Sequence, residues 1–179
     1  MRKKLLISIR TALFTAFIFV ATVMLRIPAP PQGYLHPGDA MILLASWILA
    51  PGNAFFAAGI GSALADLFSG YSVYAPGSFF IKGLCALTSS LLFSVIRSRI
   101  RKNEKHRISR PLLCLCAVFG EAVMVAGYFI YTYLLTRSVP VSLTGAAENL
   151  LQALFGIVVS VLLYPVLPRA FFNDSDRAG

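Results

Sequence analysis

The sequence predicts an all-α, polytopic membrane protein of six transmembrane helices with both termini in the cytoplasm. Three observations carry that expectation. Of the 179 residues 58% are hydrophobic and only 13% charged, a balance that a soluble domain of this size does not show. The apolar residues fall into runs long enough to cross a bilayer, which takes roughly 20 residues per helix. The Lys and Arg residues sit between those runs, nearly all on one face of the resulting topology.

Taken in order, the first helix is expected over 5–25. The start, MRKKLLISIR, has the charge pattern of a leader, but no A-x-A cleavage site follows, and the run Leu5–Leu25 is long enough to span. The stretch PAPPQGYLHPG is rich in Pro and Gly and is expected to form a stiff, non-helical outer cover, a lid with Tyr34 and His36 near its end. Two short helices, 39–49 and 54–68, are separated by the turn signal Ala50-Pro51-Gly52-Asn53. Longer helices follow at 76–96, 111–135 and 145–167. Residues 1–170 form one domain, and the polar end 171–179 is a cytoplasmic tail. No strand alternation, repeat or low-complexity tract stands out.

Charge tests the count. With six helices, Arg2, Lys3 and Lys4, the loop RSRIRKNEKHRISR (97–110) and the tail with Arg169 and Arg177 share a side. That side carries twelve Lys and Arg; the opposite loops carry Arg26 and Arg137. Such an excess marks the cytoplasm. Merging 39–68 into one span destroys the agreement.

Several chemistries are excluded. The basic residues follow topology, so nucleic acid is a poor partner, although the basic loop suits anionic lipid headgroups. No G-x-x-x-x-G-K-[ST] occurs; Gly77-SFFI-Lys82-Gly83 has the wrong order and lies in a helix, so the chain is not expected to hydrolyse ATP. An intramembrane protease needs a base in the membrane, but the histidines, His36 and His106, fall in loops. Cys85, Cys114 and Cys116 lie in apolar runs with no partner at metal spacing. No metal, cofactor or enzymatic activity is expected.

What remains is a set of polar residues at one depth. Asp66 closes the third helix at its outer end, and Lys82 lies roughly 9 Å into the fourth at 1.5 Å per residue. Glu121 is near mid-membrane on the fifth helix, with Tyr128 and Tyr131 closer to the outside. Glu148, Asn149 and Gln152 fall in the outer third of the sixth, Asn149 and Gln152 sharing a face. Charges in a bilayer cost a few kcal/mol each, about 2.5–3.5 by insertion measurements, and usually face a partner or a cavity. The set therefore suggests a polar pocket open to the outside. Bland roles compete. Asp39 is placed to cap the second helix, Asp66 to pair with Lys82, and Glu148 to meet the dipole in the first turn of the sixth helix. Glu121 is hardest to explain structurally. Ala12-Leu-Phe-Thr-Ala16 and the small residues of the third helix provide faces for close approach.

The run GYLHPGDAMILLASWILAPGNAFFAAGIGSALADLFSGYSVYAPGSFFIKG, with Gly120-Glu121, Gly127-Tyr128-Phe129 and Asn149-Leu-Leu-Gln152 followed by Gly156, resembles the substrate-binding S components of energy-coupling-factor (ECF) vitamin transporters. The branch is the riboflavin-transporter-like one, which also holds pyridoxine and hydroxymethylpyrimidine binders. The resemblance covers nearly the whole chain. It implies a six-helix protein that captures a vitamin from outside and docks on a T component with two ATPases. It also implies contact with the T component through Ala12 and Ala16, and ligand contact through Lys82, Glu121, Tyr128, Asn149 and Gln152, with Tyr131 and Tyr34 alongside. Asp39, Asp66 and Glu148 are left as structural polar groups. In one departure from the family, Tyr131-Thr132 stands where an acidic residue is expected. A single buried acid favours a pyridoxine- or hydroxymethylpyrimidine-like ligand, with riboflavin and pantothenate open. The rival readings are a membrane scaffold or assembly protein without transport, and a stand-alone secondary transporter; the latter usually carries paired repeats, and none is visible.

Overall fold

A computed structural model describes residues 2–25, 27–29, 33–100 and 109–167, with only the backbone described at 2, 3, 27–29, 33–35 and 100. Most of the basic loop and the tail expected over 171–179 lie outside the described residues. The elements are α1 (Arg2–Met24), β1 (Ile27–Ala29), β2 (Gly33–Leu35), α2 (Gly38–Ile48), α3 (Pro51–Phe68), α4 (Ala75–Ile100), α5 (Arg110–Thr136) and α6 (Val139–Leu163), closed by a 3₁₀ turn at Tyr164–Val166. Four of these helices, α1, α4, α5 and α6, are long and apolar enough to cross a membrane.

The helices form an open ring around α2. Helix α1 packs on α3, α3 on α4, α4 on α5 and α5 on α6, while α2 touches α1, α3, α4 and α6. That placement explains why 11 residues suffice for α2. It is apolar nearly all round and all but one of its residues are buried, so neighbours rather than lipid cover it. Outside the ring the large side chains are apolar and exposed, among them Phe17, Leu64, Val118, Ile130, Leu154 and Val158. An exposed apolar surface of this extent suits lipid.

Two helix starts differ from expectation, for one reason. Proline at 51 suggested a break, yet α3 begins on it. Likewise 137–144 was expected as a loop, but α6 begins at Val139 with Pro140 in its first turn. Proline suits the first turn, where its missing N–H would have no helical partner and its fixed φ is already helical. The α5–α6 connection therefore shrinks to Arg137, in the left-handed conformation at φ 54°, and Ser138.

The α3–α4 link is a Schellman turn. Gly70 has φ +83°, Tyr71 N–H donates to Asp66 O at 2.9 Å, and Gly70 N–H to Leu67 O at 3.4 Å. The expected non-helical cover after α1 contains a small antiparallel hairpin, Ile27 opposite Leu35 and Ala29 opposite Gly33. At the other end of the molecule Trp47 donates to Ser89 Oγ at 3.1 Å and packs between Phe93 and Tyr164, which ties α2 to α4 and to the 3₁₀ turn.

Candidate functional site

Helical spacing gathers the polar residues. On α4, Ser78, Lys82 and Cys85 recur at intervals of four and three and point inward, all three buried. Small residues bring α5 close enough to meet them. A Cβ on Gly127 would touch Ile81 at 2.9 Å, and one on Gly120 would touch the Cys85 carbonyl at 2.9 Å. Glu121 and Tyr128 of α5 therefore flank the depth of Lys82.

Lys82 does not pair with Asp66. Its ammonium donates to Asp39 Oδ1 at 2.5 Å, across 43 residues of sequence. The structure thus corrects two expectations at once. Asp39 sits one residue inside α2 and makes no capping bond; its carboxylate is wholly buried and turned to α4. Asp66 is half-buried near the end of α3. Ser78 Oγ shares a 2.6 Å hydrogen bond with Tyr128 OH, and the Lys82 ammonium stands 5.4 Å from the centroid of the Tyr128 ring.

Glu121 is 2% exposed, and neither carboxylate oxygen has a hydrogen-bond partner among the described residues. Oδ2 of Asp39 and Oδ2 of Asp66 share that condition. Three carboxylates thus each keep an oxygen without a partner among the described residues, and one of the three, Asp39, binds Lys82. A buried polar oxygen without a donor costs roughly 1–3 kcal/mol, so each of these calls for an explanation such as a bound water, an ion or a functional role.

The remaining candidates have more specific placements. Gln152 lies near the middle of α6, deeper than expected because the helix begins earlier. Its Oε1 accepts from His36 N–H at 3.1 Å and its Nε2 donates to His36 O at 2.6 Å. Asn149, one turn nearer the N-terminal end of α6, is half-buried. Glu148 is exposed and lies in the third turn of α6, so the expected first-turn dipole role does not hold. Tyr131 donates to Val73 O at 2.8 Å and packs beside Tyr74 and Gly77, bracing the α3–α4 link. Tyr34 lies in β2, and its side chain lies outside the described residues. Sequence reasoning missed Ser78, four residues before Lys82 and so on its face, and the engagement of His36 by Gln152, which no local pattern announces. Among the described residues no group of three His, Cys, Asp or Glu side chains is placed to hold a metal ion.

On the flank of the bundle Ala12 and Ala16 are exposed and line a groove of about 650 Å³ between α1 and α3, with Ser8, Asn53, Phe56 and Ile60 around it.

The family model of the ECF-type riboflavin transporter S component matches residues 5–169. The chain belongs to this family. An uncharacterized protein in the gap 3′ region of Pyrococcus woesei is 34% identical to this S component over 144 residues, covering 79% of this chain and 88% of that one. Two solved structures share the fold. The S component of a bacterial ECF transporter superposes with a TM-score of 0.68 at 21% identity, over 91% of this chain and 95% of its own. The S-component for biotin from an ECF-type ABC transporter gives 0.57 at 17%, over 96% and 98%.

Proposed function

We propose that this S component captures a small, water-soluble nitrogen heterocycle of vitamin type, pyridoxine- or hydroxymethylpyrimidine-like, from outside the cell membrane. A T component and two ATPases would then drive its uptake. The observation that carries the choice of cargo is Glu121, buried with both oxygens unpartnered among the described residues, while Lys82 is already bonded to Asp39. A cluster with more acid than base favours a ligand that brings ring N–H, amine or hydroxyl donors, or a ring cation. Lys82 would hold an acceptor of the ligand, Tyr128 would stack on its ring, and Asn149 would read an edge. The excess of Lys and Arg on one face supports termini in the cytoplasm and a binding site toward the outside.

A second cargo has one finding in its favour: the matching family model is described for riboflavin. The isoalloxazine imide offers Glu121 one N–H but no cation. A thermal-shift panel of B vitamins and precursors on the detergent-purified protein, confirmed by calorimetry, decides between them. The reading expects a sub-micromolar ligand whose affinity falls about 10- to 100-fold in Glu121→Gln, the loss of one hydrogen bond to a charged group, about 1.5–3 kcal/mol. A folded protein that binds no member of the panel would overturn capture.

A further inference from the structure

Gln152 is matched by its sequence setting to ligand readout, yet its amide is engaged by the protein itself. It is 6% exposed, and both ends of the amide close on the backbone of His36. One helical turn further along the same face, Gly156 leaves room for Asp39: a Cβ there would stand 2.9 Å from the Asp39 Cβ. On the opposite side a Cβ at Gly38 would collide with Thr22 Oγ1 of α1. Within the segment, Gly38 N–H donates to His36 Nδ1 at 3.2 Å. Residues 36–39 are thus held between α6 and α1, and they end in the carboxylate that binds Lys82.

We infer that Gln152 is a positioning residue: by gripping His36 it fixes the start of α2 and sets Asp39 against Lys82, acting on the site through Asp39 rather than on the ligand. The geometry favours this over a general packing role. Two hydrogen bonds of opposite sense define one register for His36, where a packing contact would tolerate several. Asp39 follows three residues later, too few for the chain to absorb a displacement before the ion pair feels it. That the placed carboxylate serves ligand capture rests on the function proposed above; the positioning itself does not.

Two ligand-free measurements test it. In hydrogen exchange of the detergent-purified protein, Gln152→Met keeps the volume and removes both bonds. Amides of 33–39 should exchange about tenfold faster while those of α3–α5 keep their rates; unchanged exchange at 33–39 overturns the inference. Gln152→Glu keeps the acceptor for His36 N–H but faces His36 O with a second acceptor, so it should fall between wild type and Gln152→Met. The second measurement is a thermal-denaturation cycle. Asp39→Asn should lower the Tm of the wild type at least twice as much as it lowers that of Gln152→Met, because there the pair is already misplaced. Equal drops, the additivity of independent sites, overturn the inference. A protein that binds no vitamin would sink the proposed capture and leave both of these results readable.

Discussion

At the scale of the residue, the site is governed by an imbalance of charge. Lys82 has Asp39 as its bonded partner, while Glu121 has none among the described residues. Removing the lysine should therefore be far worse than removing the glutamate. Lys82→Met leaves the buried Asp39 carboxylate without its cation and should cost about 3–5 kcal/mol; the double variant Lys82→Met/Asp39→Asn should recover much of that loss. Glu121→Gln, by contrast, replaces a buried carboxyl that the protein does not satisfy, so the ligand-free Tm should hold or rise even as ligand affinity falls. Thermal melts of the four proteins check the ordering, and a Glu121→Gln variant that melts well below wild type would mean the carboxylate has a structural partner. The members of this cluster were legible from sequence, because an acid or base within an apolar run is conspicuous at any spacing. Their pairing was not. Asp66 and Lys82 are separated by 16 positions and Asp39 and Lys82 by 43, and only the packing of α2 inside the ring makes the more distant partner the nearer one.

At the scale of the element, glycines decide how closely helices approach. Gly61 of α3 faces α1, where an added Cβ would stand 2.8 Å from Thr15 O, and Gly59 faces α4, 2.6 Å from Phe79 O. Neither neighbour is a flexible side-chain end, so Gly61→Val should force α1 outward and cost about 1–3 kcal/mol. Gly52, in the first turn of the same helix, has nothing within 4 Å, and Gly52→Ala should be neutral or stabilise by up to about 1 kcal/mol by restricting the unfolded chain. Denaturation of the two variants side by side separates helix contact from helix propensity; equal effects would remove the argument. The same helix shows where sequence reading stopped. Runs of apolar residues announce every helix, but the turn signal at Pro51 and a helix start expected at 145 give way to helices that begin at Pro51 and Val139, each with proline in its first turn. Proline is tolerated both in a turn and at a helix start, and only the hydrogen bonds of the following residues distinguish the two. The error was small for α3 and larger for α6, where it moved Glu148 out of the first turn and Gln152 toward the middle of the helix.

At the scale of the whole molecule, two surfaces lie apart and should fail independently. The polar cluster draws its residues from α2, α4 and α5, with Asp66 at the end of α3, whereas the groove with Ala12 and Ala16 opens on the flank between α1 and α3. Small side chains on a membrane-facing helix allow another helix to approach closely, with van der Waals packing as the main attraction. In the proposed transporter that visitor is the T component. Filling the groove with Ala12→Leu/Ala16→Leu should not touch the bundle interior, because both alanines are exposed while the face of α1 that packs inward carries Phe14, Ile18 and Ala21. The double variant should bind its vitamin in detergent with unchanged affinity. In proteoliposomes containing the T component, the ATPases and ATP, it should lose uptake by at least tenfold. Uptake at the wild-type rate would move the docking face elsewhere on the molecule. Loss of ligand affinity together with uptake would show that α1 and the polar cluster are mechanically joined, through Thr22 and the tightly held segment 36–39, rather than independent.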